Sequence, residues 1–522
     1  MAYTTDEQIE PFSAQYSSEA SGRDPLAIQN SSVVIYTKMI VGITNVTNRI
    51  RYLGFYCWLI ETIGKEIKKS NSLTEQIRYI RRAELLLAYI MVNKFKGITG
   101  VSGSIFAVND KKSEINLISG ADFDNEENNN LYWKNRFGIF GQYYSAVLRE
   151  LNLINHPQLD VNIYTLTSKG EELAKAFKNN IHNDEELFWK SVYNGLITKD
   201  ELTKLESFAL HIIPPNSDEH KFYQKILVAE DDRKIEPTFN RRNSIQLILY
   251  FLSTENGEIE NLSNAFLNYN YFKNIGLTEL TFSTSAAWYL FEINELLHVA
   301  YEYFHSCFLF SVQKYPTPID DCINMLIEEI INSFNENGID ARTCTIKKYC
   351  EILEKENIEV YKHYNLLFKQ FRDKNYGNCL IHALKTILTV YLNCFKHKHQ
   401  LKELAFLSEN NFNRNGYAIE LFDELIETKF HLTLSEYSKA IILTTINQHT
   451  FSSYSKTRIG QSLVHNYMIE NDTVWRLRET EPSRTSPRLQ NLVQYMIDIN
   501  WINKEGKKYK ITDLGIEILN SL

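Results

Sequence analysis

The chain has 522 residues, a formal net charge of −8, and 44% hydrophobic and 23% charged residues. It is long enough for two to four globular domains, and it lacks the overall basic excess that marks many nucleic-acid binders. Only 10 Pro and 20 Gly argue against a β-sandwich or barrel, which needs many turns, so the expected class is mainly α. The 31 Tyr and 29 Phe forecast large aromatic cores. Seven cysteines (Cys57, Cys307, Cys322, Cys344, Cys350, Cys379 and Cys394) form no regular framework, which favours free thiols in a reducing compartment. The N-terminus is polar, and the longest apolar stretch, Leu85 to Val92, is far short of the roughly 20 residues of a membrane span. The expected location is the cytoplasm, with no membrane partner.

Residues 1–25 read as a loose polar arm, and 26–130 as a helical domain. Its first long helix, 45–68, carries Tyr52, Phe55, Tyr56, Trp58 and Leu59. A second helix runs over 77–96, with Ser72 as N-cap and Glu75 at capping-box spacing. A Gly-rich link (97–104) and an acidic loop ending at Asn130 follow. Residues 131–213 hold a helix to Ile154, a loop over 155–162, a strand over 163–167 and a helix from Ser168. Pro214-Pro215 is the clearest internal boundary. From there to 436 the pattern is an array of amphipathic helices without a fixed repeat, broken near 255–257, 315–318, 335–338 and 410–416. The last region, 437–522, ends in the helix 489–497, a basic hairpin tip (Asn503 to Lys508), the strand 509–512 and a closing helix over 513–519.

This last order of elements resembles a winged helix, and the segment from Tyr144 to about Phe177 resembles a second one. The resemblance implies recognition of nucleic acid or protein. The terminal copy carries Arg484, Arg488, Lys504, Lys507, Lys508 and Lys510 against Asp498 and Glu505, with Lys456 and Arg458 a little upstream. Cations at a helix start and a hairpin are where such a module meets phosphates. The loop of the first copy, Asn155 to Asn162, has no Lys or Arg, which points to a structural or docking use.

The run Gly42-Ile43-Thr44 leading into Arg51-Tyr52 with Phe55 and Trp58 resembles the opening of several uncharacterised prokaryotic proteins encoded beside phage-defence genes. The likeness covers about residues 25–105 and implies a defence role without any chemistry. Read from the residues alone, Arg49, Arg51, Arg81 and Arg82 pair with acids such as Glu61 and Glu84. Arg49 and Arg51 are the two most available to a nucleic acid.

Three patterns imitate catalytic or metal sites. Glu292, Glu295, His298, Glu302 and His305 lie near one helix face with the Glu-x-x-His step of di-iron bundles, but no second helix supplies matching carboxylates, and the expected reading is a solvated polar stripe. Cys379-x-x-His382 and Cys394-x-x-His397, with His399, mimic a zinc knuckle. An unbroken helix between them would hold the pairs about 22 Å apart, too far for one ion. Asp231, Asp232, Lys234 and Glu236 lack the strand context of a nuclease. No phosphate loop, dinucleotide fingerprint, nucleophile elbow or His-Glu-x-x-His occurs.

The sequence therefore reads as a mainly α, multidomain protein with two winged-helix (α+β) modules. It is expected to be a nucleic-acid-binding recognition or scaffold subunit of a bacterial antiphage or mobile-element system, acting with a partner protein or as a homo-oligomer. Its expected ligand is DNA or RNA, and no catalytic residue, cofactor or metal ligand is assigned. The alternatives are a docking subunit without nucleic acid, and a metal-dependent enzyme with its site on helix 292–305.

Overall fold

The structure of the protein is a computed structural model. It describes residues 24–44, 46, 48–67, 72–95, 97–110, 112–123, 130–158, 161–181, 183–228, 236–254, 258–259, 262, 279–312, 315–356, 360–395, 426–456, 464–485 and 488–522. Most of the expected arm, the loop 124–129, Asp231, Asp232, Lys234, the breaks at 255–257 and 410–416, His397, His399 and Arg458 lie outside the described residues, as does the side chain of Cys394. The fold is mainly helical with short two- and three-stranded sheets. It forms two compact units, each built from two pieces of chain: Lys38–Tyr269 with Ser486–Leu522, and Met1–Thr37 with Asn270–Thr485. Among the described residues no helix is long and apolar enough to cross a membrane. Cys57, Cys307, Cys322, Cys344, Cys350 and Cys379 are free and buried.

In the unit formed by Lys38–Tyr269 and Ser486–Leu522, the aromatic run folds as the helix Tyr52–Glu66. Phe55 and Trp58 set their rings edge-on to Phe188, at 6.1 and 5.5 Å. Ser72 caps the helix Leu73–Lys94 by accepting from Glu75 N at 3.3 Å. The arginines find partners other than Glu61 and Glu84. Arg51 grips Glu219 with two nitrogens, at 2.9 and 3.3 Å, and donates to the carbonyls of Ser207 and Ala209. Arg81 donates to the carbonyls of Ala121, Trp133 and Asn135, and Arg82 pairs with Asp122. Glu61 takes Lys65 instead. Glu84 accepts from the hydroxyls of Tyr56 and Tyr132 and the amides of Ile139 and Phe140.

The two similar segments of this unit repeat one another bond for bond. Each helix ends on an asparagine in the left-handed region, Asn152 (φ 55°) and Asn500 (φ 61°). The next residue's amide returns to the helix, Leu153 to the Leu148 carbonyl and Trp501 to the Met496 carbonyl, both at 2.8 Å. A short antiparallel hairpin follows, Ile154–Asn155 with Thr165–Leu166 and Ile502–Glu505 with Lys508–Ile511. A threonine then ties hairpin to helix. The Thr167 hydroxyl donates to the Asn152 carbonyl at 2.7 Å and the Thr512 hydroxyl to the Asn500 carbonyl at 2.6 Å. Each hydroxyl also accepts the amide three residues on, from Gly170 and Gly515. Those glycines are fixed by space: a Cβ on Gly170 would meet the Leu153 carbonyl oxygen, and one on Gly515 the Trp501 carbonyl oxygen.

The unit of Met1–Thr37 and Asn270–Thr485 is organised on the 33-residue helix Glu279–Ser311. The helices Ile319–Glu336, Val360–Arg372, Tyr376–Phe395 and Leu434–Lys456 all pack against it. Thr433 and Glu436 form a capping box at the start of the last of these, the Thr433 amide donating to Glu436 Oε2 at 2.8 Å and the Glu436 amide to Thr433 Oγ1 at 3.3 Å. A three-stranded sheet joins Thr317–Pro318, Thr473–Arg476 and Tyr467–Glu470 in that spatial order.

Two stability tests follow from these contacts. Arg51→Ala removes the counter-charge of Glu219, which is fully buried, and is expected to lower unfolding free energy by about 3–5 kcal/mol in urea titration; a loss below about 1 kcal/mol contradicts the pairing. Gly515→Ala forces a methyl against backbone and is expected to cost about 1–3 kcal/mol, whereas Gly506→Ala, in open space at a hairpin turn, perturbs only the local φ.

Candidate functional site

The C-terminal hairpin presents Lys504, Lys507, Lys508 and Lys510 to solvent, with Glu505 as the acid among them. Gly506, at φ 62°, makes the turn. Lys504 lies over the Tyr509 ring at 5.2 Å, and Lys508 reaches the half-exposed Glu258 at 3.4 Å, an exposed pair of little energetic weight. The outer edge of the second strand is covered by residue 259, which exchanges both backbone hydrogen bonds with Tyr509.

The other cations singled out from sequence are engaged inside the protein. Arg49 is buried against Asp498 at 2.6 Å, with its Nε on the Thr99 carbonyl. Arg51 is buried against Glu219. Arg488 donates to the Ile43 carbonyl at 2.9 Å. Arg484 belongs to the other unit, where it pairs with Glu292. Lys456 is buried and donates to the Asp24 carbonyl. All five are thus engaged within the protein, Arg49, Arg51 and Arg484 with acids and Arg488 and Lys456 with backbone carbonyls, and releasing the first three would strand a buried acid. Helix Leu489–Asp498, the one that would enter a groove, also has its polar side occupied. Arg488, Asn491 and Asp498 bond to residues 43–50 of the same unit.

The stripe on helix Glu279–Ser311 is not solvated, contrary to expectation. Glu292, Glu295, His298, Glu302 and His305 are each at most 3% exposed, because helices cover the faces that carry them. Glu292 accepts from Tyr361 Oη at 2.5 Å and pairs with Arg484, which also lies 5.9 Å from the Tyr364 ring. Glu295 Oε2 accepts the Thr485 amide at 2.7 Å, and Glu302 Oε2 the Ser483 amide at 3.0 Å. Between these two carboxylates sits the His298 ring, Nδ1 3.5 Å from Glu295 Oε1 and Nε2 3.1 Å from Glu302 Oε1. Neither ring nitrogen makes a well-directed hydrogen bond among the described residues. The Asp24 carboxylate joins them, with ligand-type atoms of Asp24, His298 and Glu302 all within 4.8 Å of one another.

His305 belongs to a second group. Its Nε2 is 3.1 Å from Asn466 Nδ2, and its ring lies 4.7 Å from that of His449. His449 Nδ1 is 2.9 Å from the Pro25 carbonyl, and its Nε2 accepts the Asn466 amide at 3.0 Å. Both partners of His449 thus suit the neutral ring carrying its proton on Nδ1. A di-iron arrangement does not form, since the two histidines of the row turn to separate partners.

Burial sets the proton affinities. It pushes Glu292 up to about 7 against the opposing pull of Arg484 and Tyr361. Burial raises Glu302 as well, against His298, and would raise Glu295 were it not outweighed by His298. For His298 burial acts downward, but Glu302 and Glu295 overcome it and raise the ring well above its usual value. His305 is lowered by burial and by His449. His449 falls to about 4 through burial, opposed by the Pro25 carbonyl and helped by His465, Lys456 and Arg478. The unfolded ring therefore takes a proton that the folded ring refuses. The contribution of His449 is complete above pH 6.5 and is lost as pH falls toward 4, a difference of about 3 kcal/mol. His449→Gln is expected to show a shallower loss of melting temperature over that window than the parent; parallel curves contradict the neutral ring.

Nothing in local spacing marked Asp24, Thr485, Asn466 or His449 as partners of the row, since each comes from a distant segment. Helix Tyr376–Phe395 is continuous between Cys379 and Cys394, Cys379 Sγ points to the Leu367 carbonyl, and His382 contacts His363 at 3.1 Å; His397 and His399 lie outside the described residues. A cavity of about 670 Å³ in the Lys38–Tyr269 unit has a mixed lining, with Phe95, Val101 and Ala107 beside Asn93, Lys199 and Asp110, which accepts from the Tyr89 hydroxyl. Comparison with known proteins finds no matching family model, no similar curated protein and no similar solved structure.

Proposed function

We propose that the protein is a nucleic-acid-binding recognition or scaffold subunit that holds phosphates through the hairpin 502–511 of a C-terminal winged helix. The observation that carries this reading is the hairpin itself, where four exposed lysines face solvent with Glu505 the one acid on the hairpin and Glu258 beside Lys508. The repeated helix, asparagine, hairpin, threonine and glycine pattern supports reading both segments as winged helices. Because Arg488, Asn491 and Asp498 are held by residues 43–50, base reading by the helix is not part of the proposal. Contact is confined to the backbone and is indifferent to sequence. The resemblance of residues 25–105 to phage-defence-associated proteins is what supports reading this subunit as part of a defence or mobile-element system, working with a partner.

The first hairpin, without lysine or arginine between Asn155 and Asn162, favours a second reading for that copy alone, docking to protein.

Four phosphate contacts give a salt slope of about −3.6, so affinity for duplex DNA should fall roughly a hundredfold between 50 and 200 mM salt. Lys507→Glu with Lys508→Glu should weaken binding and flatten that slope by about 2, measured by fluorescence anisotropy with DNA and RNA. Unchanged binding in the double variant, or none by the parent at 50 mM salt, overturns the proposal, and the latter result favours a docking subunit.

A further inference from the structure

The cluster on helix Glu279–Ser311 has the chemistry of a ligand set, and we propose that Asp24, His298 and Glu302 bind one divalent first-row cation of the zinc or manganese class. The donors are one imidazole nitrogen and two carboxylates, a mixed N/O set suited to such ions and poor for soft ones. Their ligating atoms lie within 4.8 Å of one another, and His298 Nε2 is already 3.1 Å from Glu302 Oε1. Ligands bound at the usual lengths around a tetrahedral ion are about 3.4 Å apart, so small side-chain rotations close the set.

Independent support comes from His298. Its ring is 1% exposed and flanked by Glu295 and Glu302, yet neither nitrogen makes a well-directed hydrogen bond among the described residues, which leaves a nitrogen lone pair available to an ion. The surroundings are those a metal-bound histidine uses. On the side away from Glu302, Nδ1 faces Glu295 Oε1 at 3.5 Å, so one nitrogen is offered to an ion while a carboxylate receives the proton of the other. The two ligand carboxylates are themselves oriented by backbone amides: Glu302 by Ser483, and Asp24 by Leu26 at 3.0 Å and Gln29 at 2.9 Å.

Charge points the same way. Asp24, Glu295 and Glu302 surround the ring, while Arg484 is taken by Glu292. Lys456 lies close by and bonds to the Asp24 carbonyl rather than to the carboxylate. Three carboxylates drawn around one buried ring favour a bound cation. A bound ion would also tie the N-terminal segment to the long helix, coupling metal to folding.

The full-length protein, produced in medium supplemented with zinc and manganese, would be analysed for metal by elemental mass spectrometry. It would then be stripped with chelator and titrated with Co²⁺ while visible absorption is followed. One equivalent of metal per chain and a Co²⁺ spectrum are expected. Asp24→Asn and Glu302→Gln should each weaken Co²⁺ binding by about a hundredfold, and Glu295→Gln by about tenfold. Circular dichroism of the stripped variants separates loss of ligand from loss of fold. If the parent holds no metal and takes up no Co²⁺, or if folded Asp24→Asn and Glu302→Gln bind it as the parent does, the site is overturned. Neither result bears on the lysine hairpin.

Discussion

Five ionisable side chains on one helix lie out of reach of water, and the rest of their unit is arranged around supplying them with partners. Removing a carboxylate or an imidazolium from water costs several kcal/mol, so each must find a counter-charge or a directed donor where it sits. Glu292 takes Arg484 and Tyr361. Glu295 and Glu302 take the amides of Thr485 and Ser483, and His305 takes Asn466. These partners bring the turn around 480–485 and the sheet residues near 466 onto the helix Glu279–Ser311. Asp24 and the Pro25 carbonyl bring in the N-terminal segment. The polar row thus fixes register between segments that an apolar core alone would let slide.

The other unit obeys the same rule with different residues. Arg51 with Glu219, Arg82 with Asp122 and Arg49 with Asp498 are all internal, and Glu84 sits among four donors. The effect on function is subtractive. Half of the cations that looked available for phosphates hold the fold together instead, and the lysines of one hairpin remain at the surface. On the proposed reading, so small a patch would rely on screened contact with the phosphate backbone.

Local chemistry was legible in the sequence, and long-range pairing was not. The helix Leu489–Asp498, the hairpin behind it and the Ser72 cap follow from periodicity and turn residues within a few positions. The row at 292–305 shows the limit. Acids and histidines at three- and four-residue spacing look alike on a solvated face and in a core, and the difference lies in partners far along the chain. Arg484 is 192 residues from Glu292, and Glu219 is 168 from Arg51. Asp24 sat in a segment whose composition reads as a loose arm. The pairing of units from separate pieces of chain is equally invisible to a reading in chain order.

The central claim is that this row is dry and enclosed in the native protein. Labelling of the native chain with diethyl pyrocarbonate, mapped by mass spectrometry, tests it directly, with the exposed His431 as an internal reference. His298, His305 and His449 should remain unmodified while His431 reacts fully, and all four should react after denaturation. Modification of His298 or His305 in the native protein at a rate near that of His431 would contradict the account.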